Sequence, residues 1–106
     1  MEFAFDMSDL ERAARLVYAV MPPTAQYPWP KLRRHAGCAV WVKHENHTPT
    51  GAFKVRGGLV YLDRLRRSQA PPAGVISANR GNHGQSIAFA AARFHQVLGG
   101  ATPSVG

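Results

Sequence analysis

Residues 45–58 read Glu45-Asn46-His47-Thr48-Pro49-Thr50-Gly51-Ala52-Phe53-Lys54-Val55-Arg56-Gly57-Gly58. A turn-forming Thr-Pro-Thr-Gly delivers the chain to one lysine, Lys54, which follows an aromatic residue and opens an amphipathic run. An apolar neighbour that excludes water disfavours an ammonium ion, and so does the positive end of a helix dipole. Lys54 is therefore expected to be an amine made nucleophilic at neutral pH. An amine of that kind can form a Schiff base with a carbonyl group.

A second loop points to the same chemistry. Residues 77–86 read Ser77-Ala78-Asn79-Arg80-Gly81-Asn82-His83-Gly84-Gln85-Ser86. They lie between the short apolar run Gly74-Val75-Ile76 and an alanine-rich stretch of helical composition from Ile87 to about Phe94. Strand, polar glycine-containing loop and helix start is a layout that receives anions or cofactors, because free N–H groups and the helix dipole both favour negative charge.

The two segments together resemble the pyridoxal-phosphate-dependent enzymes of the tryptophan-synthase-β fold, and most closely their serine/threonine dehydratase branch. That family carries an acidic residue ahead of Pro-Thr-Gly-Ser/Ala-Phe-Lys-x-Arg-Gly, matched here by Glu45 and by Pro49 to Gly57. It later carries Ser-x-Gly-Asn-His-Gly/Ala-Gln, matched here by Gly81-Asn82-His83-Gly84-Gln85. The resemblance implies an α/β fold, the N-terminal fragment of a two-domain parallel-sheet fold with pyridoxal 5'-phosphate between the domains. It implies Lys54 as the Schiff-base lysine and catalytic base, with Phe53 and Asn82 beside the cofactor. Asn82 would face the 3′-hydroxyl of the pyridoxal ring. Asn79, Arg80, Gly81, His83 and Gln85 would meet the carboxylate of an amino acid substrate. The implied reaction is deamination of a hydroxy amino acid to a 2-oxo acid and ammonia.

Departures from the family pattern bear on the substrate. Asn79 and Arg80 stand where dehydratases carry a serine and a small residue. Asn79 could replace one hydrogen bond to the carboxylate, and Arg80 could pair with it bidentately or point outward. Racemases tend to keep a serine at the position of Arg80, which argues against that activity. The cysteine-synthase branch prefers Lys-Asp-Arg and Gly-Asn-Thr-Gly, so Lys54-Val55-Arg56 and Gly81-Asn82-His83 fit the dehydratases better.

With 106 residues the chain can build one small core. It looks like the N-terminal third of such an enzyme. Residues 1–72 read as the first part of the large cofactor-binding domain, and 73–106 as the truncated start of the smaller one, divided near Pro71-Pro72. The family's phosphate-binding loop and its pyridine-facing residue have no counterpart here. The stretch 98–106 is poor in core-building residues, which suggests a truncated or frameshifted reading frame. Other readings therefore stand beside the enzyme: an inactive remnant, one half of a split enzyme, or a small basic binding module. A homo-oligomer or a complementing chain would fit the first two.

The formal charge is +7, from 13 Lys and Arg against 6 Asp and Glu. The positive residues cluster only at 31–34 and 64–67, with neither zinc-finger spacing nor a stacking platform, so a solvated face is expected rather than a nucleic-acid surface. The single cysteine, Cys38, allows no internal disulfide and fits a cytoplasmic setting, and its apolar neighbours predict a buried thiol. The acidic start (Glu2, Asp6, Asp9) argues against a secretory signal, and no run is long enough for a membrane span.

The pattern predicts a helix capped by Ser8 or Asp9 and running to about Val20, with Leu10, Val17 and Tyr18 inward. Four prolines keep 22–30 extended or turned. One helical turn is expected at 31–35, a strand at 39–44, a helix over 52–67 with Phe53, Leu59, Val60, Leu62 and Leu65 on its apolar face, a buried strand at 74–78 and a helix over 83–95. The alternation implies a parallel layout. Phe53 is expected both in the core and as a wall beside the cofactor. Thr48, Thr50 and Glu45 should shape the loop, with Glu45 pairing with a cation, and Arg56 should be structural. His44, His47 and His83 lack the spacing of a metal set.

Overall fold

The computed structural model describes residues 4–98; the sequence readings at residues 1–3 and 99–106 lie outside the described residues. Helix α1 (Met7–Tyr18) begins at Asp6 rather than at Ser8 or Asp9. The Asp6 carboxylate accepts from the Asp9 N–H at 2.9 Å, and the Asp9 carboxylate accepts from the Asp6 N–H at 2.9 Å. This reciprocal capping box uses the acid that the sequence reading took for the cap as its partner three residues on.

Strands β1 (Gln26–Pro28) and β2 (Trp41–Lys43) pair antiparallel, with Tyr27 opposite Val42. Helix α2 (Pro30–Ala36) joins them. Proline at its first position costs no hydrogen bond there, and Gly37 ends it at φ 76° in the left-handed region. Cys38 follows that turn and is exposed. The expected buried thiol is thus corrected: β2 begins only at Trp41, so no sheet covers residue 38.

Helices α3 (Lys54–Arg66) and α4 (Asn82–Leu98) form the main packing unit, with α1 against α3. The core gathers Val17 and Met21 with Val55, Leu59 and Leu62 of α3 and Ile87, Ala90, Ala91 and Phe94 of α4. Burying each of the larger side chains contributes roughly 1.5–3 kcal/mol. Leu10, Tyr18 and Phe53 are exposed, against expectation. Phe53 falls at the cap position of α3, one residue before the helical periodicity that buries Val55 and Leu59 takes hold.

The expected strand at 74–78 is not formed, and the sheet among the described residues is the antiparallel β1–β2 pair alone. The segment has no regular secondary structure, yet it alternates half-buried (Val75, Ser77) with exposed (Ile76, Ala78). That is the side-chain pattern of a strand. A strand also needs a neighbour to accept its ladder, and no strand lies beside this one among the described residues. No helix among them is long and apolar enough to cross a membrane.

Candidate active site

The loop from Glu45 to Phe53 is built on Thr48. Its buried hydroxyl donates to the Ala52 carbonyl at 2.7 Å and accepts from the Ala52 N–H at 3.0 Å. The Gly51 N–H closes the turn onto the Thr48 carbonyl at 3.0 Å, with Gly51 at φ 75°, where a side chain would be strained. This turn sets where α3 begins, and so where Lys54 stands.

Glu45 clamps the loop to α3. Arg56 Nε donates to Glu45 Oε2 at 2.7 Å and its terminal nitrogen to Oε1 at 3.1 Å. Thr24 also donates to this carboxylate, and Lys43 Nζ lies 3.8 Å away. The Arg56 hydrogen bonds, opposed by burial and aided by Thr24, hold the Glu45 carboxyl at about 2, well below its ordinary 4.5. The same pair drives the Arg56 guanidinium upward. Arg56 further reaches the Tyr18 hydroxyl at 3.3 Å, so three separate stretches of chain meet at one ion pair.

Lys54 is the first residue of α3 and is exposed, with Nζ 5.1 Å from the centre of the exposed Phe53 ring. The water-excluding wall expected of Phe53 is not present among the described residues.

In the second loop, the Asn79 side chain accepts from the Gly81 N–H at 2.7 Å and donates to Ser77 at 3.3 Å. Gly81, at φ 140°, turns the chain into α4, and its carbonyl accepts the Gln85 N–H at 2.9 Å. The first N–H groups of α4, from Asn82 onward, are thereby left pointing out of the helix end.

Close contact between α3 and α4 joins the two loops. A Cβ built on Gly58 would lie 2.3 Å from Ser86 Oγ and 3.0 Å from the Ser86 carbonyl oxygen. Only glycine permits this approach. It brings His83 to a cleft of ≈ 380 Å³ whose other walls are Phe53, Lys54, Arg56, Gly57, Gly58, Tyr61 and Ile87. Lys54, Phe53 and His83 are thus brought together. Asn79, Arg80, Gly81, Asn82 and Gln85 do not line this cleft; they sit at or just before the start of α4.

Sequence reasoning missed Gly58, Tyr61 and Ser86. The signal for Gly58 was present: two glycines inside a helix cost about 1 kcal/mol each in propensity, so they need a packing reason. Tyr61 and Ser86 carry no such mark. Two of the histidines find ordinary partners: His44 accepts from Trp29 Nε1 at 3.0 Å and stacks on His47. Among the described residues no three His, Cys, Asp or Glu side chains could hold a metal ion.

The donors in the cleft fit the ring end of a pyridoxal group. The lining includes an amine 5.1 Å from the centre of an aromatic ring and a histidine from the first turn of α4. The volume lies at the small end of the usual range for ligand sites.

Comparison with known proteins places the chain in a family of pyridoxal-phosphate enzymes. A family model described as pyridoxal-phosphate dependent enzyme matches residues 19–98. An L-threonine dehydratase from Mycobacterium tuberculosis is 32% identical over 88 residues, 83% of this chain and 20% of its own length. An L-threonine ammonia-lyase from Geobacter sulfurreducens is 46% identical over 55 residues, 52% of this chain and 13% of its own. Among solved structures, a threonine deaminase from T.th. superposes with a TM-score of 0.70 at 30% identity, covering 94% of this chain and 33% of that one. A pyridoxal 5'-phosphate-dependent aspartate racemase does so with a TM-score of 0.77 at 30% identity, covering 99% and 32%. The chain therefore spans about a fifth of the first curated relatives and a third of the matched structures, and it has their α/β fold over that portion. On the match of the family model to most of its length, this chain belongs to the pyridoxal-phosphate-dependent enzymes.

Proposed function

We propose that the protein acts as a lyase of the serine/threonine dehydratase type, deaminating a hydroxy amino acid to a 2-oxo acid and ammonia. The observation that carries this reading is the shared cleft: Lys54 from the first motif and His83 from the second line the same walls. Residues 1–72 are assigned to the cofactor-binding domain and 73–106 to the start of the smaller domain.

Bound pyridoxal phosphate supplies an electron sink for the pair left when a substrate α-proton departs. In this chain the Lys54 amine would hold the cofactor and, once displaced by the substrate amine, would receive that proton at Nζ. Phe53 would stand beside the ring from within the cleft, and Asn82, at the start of α4 and outside the cleft lining, would be the residue to hydrogen-bond it. The start of α4 orients the substrate carboxylate, through Gly81 and the backbone of His83 with the side chains of Asn79, Arg80 and Gln85. Arg80 offers no hydroxyl to return a proton on the opposite face, which favours elimination over the racemisation named for one structural neighbour.

The test is covalent trapping. The chain is incubated with pyridoxal phosphate, reduced with borohydride and mapped by mass spectrometry. The adduct is expected on Lys54 and absent from Lys54→Ala; an adduct spread over Lys31 and Lys43 instead overturns the assignment. Turnover of L-threonine and L-serine to 2-oxo acid is then measured. Specific labelling without turnover identifies the alternative, an inactive remnant or one half of a split enzyme.

A further inference from the structure

Helix α1 and the end of α3 enclose a second and larger groove, of ≈ 820 Å³. Its floor includes Leu16 and Val60, while its rim carries Arg12 and Arg15 from α1 and Arg64 and Arg67 from the end of α3. None of its lining residues is shared with the Lys54 cleft. Two carboxylates stand in the same rim. Asp9 pairs with Arg12, and Asp63 pairs with Arg67 at 3.0 Å while also holding Arg66 at 2.9 Å. Arg15 and Arg64 have no ion-pair partner among the described residues. Four guanidinium groups thus face two carboxylates, leaving an excess of positive charge.

An arginine-rich helix face is ordinarily just solvated. Here the excess sits in a concavity, is contributed by two helices and lies above an apolar floor. A concave surface with an excess of one sign of charge focuses the field. Spacing of three residues places Arg12 with Arg15, and Arg64 with Arg67, on the same side of their helices. We propose that this groove binds a compact polyanion, a small molecule bearing two or more phosphate or carboxylate groups. Arg15 and Arg64 supply the charge-assisted hydrogen bonds, and the two internally paired arginines flank them.

Inorganic tripolyphosphate is the probe, titrated calorimetrically into the full chain at low salt. One saturable site is expected, weakened about tenfold or more in Arg15→Gln/Arg64→Gln. Arg33→Gln/Arg34→Gln removes the same charge from α2, outside the groove, and is expected to bind within about twofold of the parent. Equal weakening in both variants means diffuse attraction and overturns the proposal, as does the lack of a saturable site. Citrate in place of tripolyphosphate distinguishes carboxylate from phosphate ligands. Both altered arginines are exposed, so helical content should be unchanged; if the double variant loses it, Arg64→Gln alone carries the comparison.

Discussion

The two loops that build the cleft are held in opposite ways. The loop before Lys54 is fixed from within the chain: Thr48 ties its turn, and the Glu45–Arg56 pair clamps it to α3, with Thr24, Tyr18 and Lys43 around the pair. The loop before α4 carries the Asn79 contacts and the Gly81 turn, and the segment leading into it pairs with no strand among the described residues. A loop shaped by side chains carries its geometry in its own residues. A loop shaped by a sheet takes its geometry from whatever strands lie alongside. The Gly58–Ser86 contact is what keeps the second loop in register with the first.

That contact gives the largest expected effect. Gly58→Val would drive a branched side chain into Ser86, including its backbone oxygen and carbon at 3.0 and 3.2 Å. The helices would have to separate, at about 3 kcal/mol measured by urea unfolding. The neighbouring Gly57 has nothing within 4 Å of a built Cβ. Gly57→Ala should therefore stabilise by roughly 0.5–1 kcal/mol, through helix propensity alone. If the two substitutions act alike, the close approach that joins the loops is not there.

The clamp comes next. Glu45 has a folded value of about 2 against an ordinary 4.5, so it titrates below its unfolded range. Its contribution is complete above about pH 4.5 and is lost as pH falls toward 2. The shift corresponds to about 2–3 kcal/mol after allowance for partial solvent access. Glu45→Gln should lose that amount at pH 7 and flatten the stability profile between about pH 5 and 2. An unaltered acid limb in this variant would separate the loop's stability from the ion pair.

This contrast also explains what could be read from the residues. Thr48 and Gly51 act through near neighbours, and the principal contact of Glu45 and Arg56 is with each other inside the same motif; the sequence pattern predicted a loop-shaping acid, a glycine turn and a structural arginine. Helices α1, α3 and α4 follow from the spacing of Val17, Leu59, Leu62 and Ile87, whereas Val55 is buried and Phe53, read as part of the apolar face, is exposed. The strand at 74–78 was legible as composition, yet its hydrogen bonds depend on partners no local pattern contains. The exposure of Cys38 and Phe53 likewise depends on where an element starts, a boundary that propensity fixes to within a few residues only. Of the cleft, Lys54 and His83 were marked by their motifs. Tyr61 was not, because its place follows from the rotation of α3 against α4.

A smaller effect probes the joint between the helices. Ser86 is fully buried, and its hydroxyl has no hydrogen-bond partner among the described residues. Ser86→Ala removes an unsatisfied group and should stabilise by about 1 kcal/mol. It also removes the atom nearest to a Cβ on Gly58, so it should relieve part of the cost of Gly58→Ala. A double-mutant cycle is therefore expected to show coupling of about 0.5 kcal/mol or more, with zero coupling meaning that the helices stand further apart.

The smallest effect tests the second loop itself. Ile76 is 84% exposed, whereas Leu59 is fully buried on α3. Ile76→Thr keeps the β-branched shape and removes little buried apolar surface. Its unfolding free energy in this chain should stay within about 0.5 kcal/mol of the parent, where Leu59→Ala costs about 2–5 kcal/mol. Amide exchange at 74–78 should be correspondingly fast beside the protected interior of α3 and α4. A loss of more than about 1 kcal/mol from Ile76→Thr, or slow exchange at its amide, would mean that this segment already has a partner strand. The two loops would then be held alike, because an exposed isoleucine cannot matter to stability unless something covers it.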